Sequence, residues 1–231
     1  MFQQTLRRPE IDAALLRRVV RVSRAMHRAG FVAGTAGNLS VRLGGGRFLA
    51  TPSGVAKRML TGADLLVVDA EGEVLHGRRG RRPTSEMPMH LEVYRRRPDV
   101  GAVVHAHPVH AVALSLSSGL LGRPCLPEAV ATLGEIAVTP YTPPSSRENA
   151  EAIRDAIVSH DAIVLRLHGS LTVGASVEEA FGRLEVLEHT ARILVAAAAI
   201  GPVPELTPEQ TADLRGRGAA YRENACSLRP A

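Results

Sequence analysis

The distribution of apolar runs predicts an α/β fold, a single domain whose central mixed, largely antiparallel β-sheet is flanked by helices. Three observations carry this reading. Short strand-like runs cluster in the middle of the chain, several joined by glycine turns of hairpin length. Amphipathic helical patterns bracket and interrupt those runs. Neither an internal repeat nor a linker divides the 231 residues, a length that buries a substantial core. The domain is taken as 1–231, with its core over 11–214 and a polar tail over 215–231.

Each element has a local cause. Residues 11–29 place Ile11, Leu15, Val19, Val22 and Met26 on one helical face, and Gly30 stops the helix. Residues 39–42 and 47–51 make a hairpin across Gly44-Gly45-Gly46, and 65–69 with 73–75 make a second. A helix opens behind Thr84-Ser85-Glu86 and ends at Arg97-Pro98, with Met87, Leu91 and Tyr94 at helical spacing. Residues 100–104 form a buried strand broken off by Pro108. Residues 136–139 are a strand that runs into a proline-rich loop. Ser145-x-x-Glu148 then caps a helix to about His160. The runs 162–167 and 170–173 complete the sheet. Ser176-x-x-Glu179 opens a long helix to Ile200, with Phe181, Leu184, Leu187 and Leu194 facing inward, and Thr207-Pro208-Glu209-Gln210 opens the last one.

Composition narrows the function. The net charge of +5 is almost all arginine, scattered along the chain, and aromatics are only 3%. That leaves few platforms for stacking bases, so nucleic acid is not the expected partner and a small anion is. No apolar stretch is long enough to span a bilayer, and nothing at the N-terminus resembles a secretory signal, so the expectation is a cytoplasmic protein with no membrane partner. Cys125 and Cys226 make no disulfide framework. The one lysine, Lys57, sits in a loop-like segment and is a poor Schiff-base candidate.

The chemistry is concentrated in residues 83–115. His105 and His107 are two apart at the end of an apolar strand, so their side chains point the same way and can reach one metal ion. A third apolar run ends in His168-Gly169. Three neutral imidazoles with an open fourth position suit a catalytic zinc, although imidazole also serves other first-row metals. Glu86 supplies a carboxylate nearby. His27, His76, His90, His110, His160 and His189 read as ordinary polar residues. The glycine turn 34–42, the run Thr51-Pro52-Ser53-Gly54 and the pair Thr84-Ser85 offer backbone amides and hydroxyls suited to an anion.

Together, GTAGNLS, TPSG, PTSE, HAHPVH and the later HG resemble the class II aldolase/adducin family in order and approximate spacing, from about Ile11 to Leu214. The resemblance implies a fold like the one read above, in a homotetramer with sites between subunits. It implies one zinc per chain on His105, His107 and His168, with Glu86 as acid/base and a further contact to the metal. Asn38, Ser53, Gly54, Thr84 and Ser85 fall on positions that hold a substrate phosphate, backed by the Gly37 amide. The fuculose-phosphate aldolase branch is the most similar, which implies cleavage of a ketose 1-phosphate to dihydroxyacetone phosphate and an aldehyde. That branch carries a tyrosine where this chain has Glu128, and Tyr221 matches its second, C-terminal tyrosine. A sugar-phosphate 4-epimerase, a dehydratase or decarboxylase, and an adducin-like structural protein are the alternatives.

Overall fold

A computed structural model describes the backbone of residues 11–117 and 119–227, with side chains described to residue 219. Its centre is an eight-stranded sheet. The strands are β1 (Asn38–Gly44), β2 (Arg47–Ala50), β3 (Leu66–Val68), β4 (Val74–His76), β5 (Ala102–Ala106), β6 (Ile136–Thr139), β7 (Ala162–Leu165) and β8 (Gly169–Gly174). Their spatial order is β4-β3-β2-β1-β5-β8-β7-β6. Every pairing is antiparallel except β6 with β7. The mixed, largely antiparallel sheet expected from the sequence is therefore present.

Among the described residues the helices are α1 (Ala13–Arg28), α2 (Met87–Arg96), α3 (Val109–Leu116), α4 (Pro127–Leu133), α5 (Arg147–Ala152), α6 (Val177–Ile200) and α7 (Pro208–Ser227). One core forms where α1 and the start of α6 cover one side of the sheet, through Val19, Val22, Met26 and Leu184 against Leu39, Val67 and Val104. A second lies under α2, where Met89, Val93 and Tyr94 meet Phe48, Val103 and Leu171. A third joins α3 and the later part of α6, through Ala111, Leu114, Leu187 and Leu194. At about 25 cal/mol per Å² of apolar surface buried, these faces are what fix the helices on the sheet.

Three expectations change. The helix after the proline-rich loop is short: Ser146, not Ser145, caps it by accepting from the Asn149 amide, and it ends at Ala152 before a separate 3-10 turn at Ala156–Val158. With two adjacent serines, the capping pattern alone does not choose between them. The strand expected over 162–167 stops at Leu165, because Leu167 takes a left-handed turn (φ 61°) and the His168 amide bonds back to Leu165. Third, α7 runs unbroken to Ser227 through most of the segment read as a polar tail.

Gly218 explains how α7 is held. It is buried, and a Cβ there would collide with the carbonyl of Ala131 in α4. Gly216, on the same helix, has open space around it. Ordinarily Gly→Ala inside a helix stabilises by roughly 0.5–1 kcal/mol. We expect Gly216→Ala to do so, and Gly218→Ala to lower stability by about 1–3 kcal/mol through overpacking. Urea unfolding of the two variants measures both signs.

Candidate active site

The central strands set the site's geometry. β5 lies between β1 and β8, with Asn38 paired to His105 on one side and His105 to Leu171 on the other. His105 is fully buried, and its Nδ1 lies 2.9 Å from the Ser170 carbonyl. A carbonyl only accepts, so Nδ1 is the donor in that bond. His107 follows one residue past the strand, its amide bonded to the Phe31 carbonyl. His168 rides on the β7–β8 hairpin rather than at a strand end, just before Gly169. That glycine has no room for a side chain: a Cβ would press on the Ala106 carbonyl and on both rings of His105 and His107.

One nitrogen from each of His105, His107 and His168 lies within 4.8 Å of the other two. Burial pushes the His107 and His168 imidazoles down to about 4, and His105 adds in the same direction. They are neutral at pH 7, the state in which imidazole ligates a metal. The chemistry of this donor set fits one divalent ion.

Glu86 stands over the cluster at the N-terminus of α2. Its Oε2 is 3.0 Å from His105 Nε2 and its Oε1 is 3.3 Å from His168 Nε2. Asn38 Nδ2 also donates to Oε2, at 2.8 Å. Burial alone pushes this carboxyl up, but His105, the Asn38 amide and His168 outweigh it and hold the group well below the usual carboxylate range. Glu86 is ionised at neutral pH, and its buried Oε1 makes no hydrogen bond. It is placed to touch an ion on the three histidines and to exchange a proton with whatever that ion holds.

His90, read from the sequence as an ordinary polar residue, belongs to this site. It is fully buried one helical turn past Glu86. Its Nε2 meets Asn38 Oδ1 at 2.6 Å, and its Nδ1 meets Ser40 Oγ at 2.7 Å. Asn38 Oδ1 can only accept, so Nε2 is the donor and Nδ1 accepts from Ser40, whose oxygen lies 2.9 Å from the Tyr94 hydroxyl. The chain Tyr94–Ser40–His90–Asn38–Glu86 fixes the Asn38 amide with its nitrogen toward Glu86. The sequence carried one signal for it: residues 86, 90 and 94 share a helix face.

The structure also brings together the three segments read as anion loops. The Thr51 amide bonds the Leu39 carbonyl, the Ser53 amide bonds the Arg82 carbonyl, and the Thr84 amide bonds the Thr51 carbonyl. Gly37 (φ 70°) is buried against Val32 and the His105 carbonyl, where a side chain would clash. Ser53 and Gly54 are exposed, while Thr84 is buried with its hydroxyl near the Glu86 amide at 3.3 Å. Exposed Ser85 shares a 2.8 Å hydrogen bond with Ser145, a non-glycine residue at φ 61°. Asn38 is committed through one amide hydrogen to Glu86.

Other residues stand apart. His110 Nδ1 meets Glu188 at 2.7 Å, and the same carboxylate accepts from the His110 and Ala111 amides at the start of α3. Glu128 lines an open cavity of about 690 Å³ with Phe31, Glu185, His189 and Arg192. Tyr221 falls on α7, but its side chain lies outside the described residues.

A mixed sheet with three clustered histidines and a carboxylate standing over them from a helix start defines a class, and the chain belongs to the class II aldolase family: residues 17–195 match the Class II Aldolase and Adducin N-terminal domain. It is 33% identical over 210 residues to the 3-oxo-tetronate 4-phosphate decarboxylase of Escherichia coli K12, covering 89% of this chain and 97% of that protein. It is 34% identical over 174 residues to the L-fuculose phosphate aldolase of Methanococcus maripaludis, covering 75% of this chain and 92% of that one. The crystal structure of Escherichia coli YgbL superposes with a TM-score of 0.80 at 33% identity, covering 87% of this chain and 98% of that one. No described helix is long and apolar enough to cross a membrane.

His90 gives the site a signature in stability. Burial lowers its pKa to about 3, helped by His105 and opposed by Glu86. An unfolded histidine takes up its proton near pH 6.5. Between those values the unfolded chain binds more protons, so the stability His90 confers is present above pH 6.5 and is lost as pH falls toward 3. We expect His90→Gln to flatten the acid limb of urea-derived stability by about one proton's worth, at most about 1.4 kcal/mol per pH unit. An unchanged slope would count against a neutral buried His90.

Proposed function

We propose that this chain is a zinc-dependent carbon–carbon lyase that splits a phosphorylated ketose by aldol cleavage, releasing dihydroxyacetone phosphate and an aldehyde. The observation that carries this is the ionised Glu86, lodged over the clustered imidazoles of His105, His107 and His168 beside three anion-suited loops. In this reading His105, His107 and His168 hold the metal, with Glu86 as an added contact. Bound there, the ion supplies a Lewis acid that takes up the negative charge left when the carbon–carbon bond breaks.

The chain's own groups do the rest. Gly37, Gly54, Asn38, Ser53, Thr84 and Ser85 offer N–H and O–H donors that fix the phosphate, and so set which carbon faces Glu86. The Glu86 carboxylate takes the proton of the hydroxyl on the carbon that becomes the aldehyde. The bonding electrons pass to the enediolate of dihydroxyacetone phosphate, and Glu86 returns the proton to its carbon. Asn38, aimed by His90, keeps Glu86 oriented during both transfers.

A second reading has its own support. The decarboxylase relative is covered over 97% of its length, more than the aldolase. Loss of CO2 from a 3-oxo-tetronate 4-phosphate leaves the same enediolate, because the carboxylate's bonding pair enters the same carbon–carbon bond. It releases no aldehyde, so it needs no group at the position where Glu128 replaces the aldolase tyrosine.

Two experiments test the proposal. Glu86→Gln should retain metal and fold yet lose roughly a hundredfold or more in turnover, whereas His168→Ala should lose metal and activity together. A Glu86→Gln enzyme within a few fold of wild type removes the carboxylate from the mechanism. For the reaction, dihydroxyacetone phosphate is incubated with a panel of short aldehydes, and 3-oxo sugar-acid phosphates are offered in parallel. New ketose 1-phosphates support aldol chemistry, and CO2 release without condensation moves the chain to the second reading. Epimerisation of ribulose 5-phosphate with neither product would reject both.

A further inference from the structure

Lys57, the chain's one lysine, is among the most deeply buried side chains, 1% exposed. It lies in a 3-10 turn at Lys57–Met59, packed beside α1, not in the open loop that the sequence suggests. Its Nζ donates to the Thr35 carbonyl at 3.2 Å and to the Val55 carbonyl at 3.0 Å. Thr35 belongs to the glycine loop that ends at Gly37, and Val55 directly follows Gly54. One ammonium thus ties together two of the loops read as suited to an anion.

A neutral donor would serve that tie as well. An ammonium adds a full positive charge, and desolvating it is costly without a counter-ion. No carboxylate among the described residues pairs with Lys57, and burial lowers its pKa to about 8. Charged and titratable groups on neighbouring elements include Arg24, His27 and Arg28 of α1, Arg58 on its own turn, and Asp64 of the next turn, paired with Arg81. Asp64 is engaged by Thr61 and Arg81.

We propose that Lys57 is a positioning residue of the phosphate cradle, its buried ammonium fixing both loops and taking the substrate's phosphate dianion as its counter-ion. The inference rests on the reading of these loops as a phosphate site. A lysine so placed acts on affinity for the phosphorylated end and leaves the metal and Glu86 untouched.

The probe is inorganic phosphate, titrated calorimetrically into the metal-loaded protein at pH 7. Lys57→Gln can keep a donor to the loop carbonyls but not the charge. Its phosphate affinity should fall about tenfold or more, the size of one unit of pKa coupling, with metal content unchanged. KM for a phosphorylated substrate should rise while kcat is largely kept. Phosphate binding within twofold of wild type would overturn the proposal. Ser53→Ala and Ser85→Ala separate the underlying reading: if neither weakens phosphate binding, the loops are not the cradle and both ideas fall. A measurement on wild type covers a variant that does not fold. At pH 8.5 phosphate is a dianion, so its binding should draw a fraction of a proton onto the protein, seen as different heats in two buffers of unlike ionisation enthalpy. Equal heats would reject the role of Lys57.

Discussion

Asn38, Ser40 and Arg42 are alternate residues on one face of β1, and each grips α2. Asn38 holds Glu86 and His90 at the helix start, and Ser40 holds His90 and Tyr94 a turn later. Arg42 reaches the Tyr94 and Arg97 carbonyls at the far end, its guanidinium over the rings of Tyr94 (4.8 Å) and Phe48 (5.6 Å). Two strand residues advance about 6.6 Å and one helical turn about 5.4 Å, close enough for three successive contacts to stay in step. The rest of the site depends on this polar row. It sets the height of Glu86 above the sheet, and β1 in turn sets β5 and its histidines.

Backbone pairing supplies the other half. β5 is buried on both faces, so a slip of one residue would send His105 to the opposite side of the sheet. Pairing with both β1 and β8 excludes that slip. The absence of a side chain at Gly169 lets the β7–β8 hairpin close against the two rings, which brings His168 to the ends of β5 although it is distant in sequence. The site is thus assembled by ladder hydrogen bonds and close approach, with its ionisable groups held in fixed relation.

Much of this was legible in the sequence, for identifiable reasons. The His-x-His spacing at a strand end and the hairpins across Gly44–Gly46 and Gly72 are local signals, and the structure keeps them. Glu86 could be placed at a helix start because Thr84 and Ser85 mark it. His90 was missed because its partners Asn38 and Ser40 lie some fifty residues away, and helical spacing gives a face without saying what meets it. The same limit hid Lys57, whose burial comes from the packing of α1 over its turn. Where signals competed locally, as at Ser145 and Ser146, pattern could not choose, and where one residue turns left-handed, as at Leu167, an apolar run overstates the strand.

The sheet's two margins carry a different consequence. β4 is a three-residue strand whose pairing with β3 is shifted by an irregularity at Val67/Val68, a poor template for another chain. β6 is four residues long and is followed at once by Pro140, with Pro143 and Pro144 close behind, none of which can donate to a ladder. Both margins therefore resist extension by an added strand. Self-association through the backbone, the route by which open sheets grow into fibrils, is discouraged at either end.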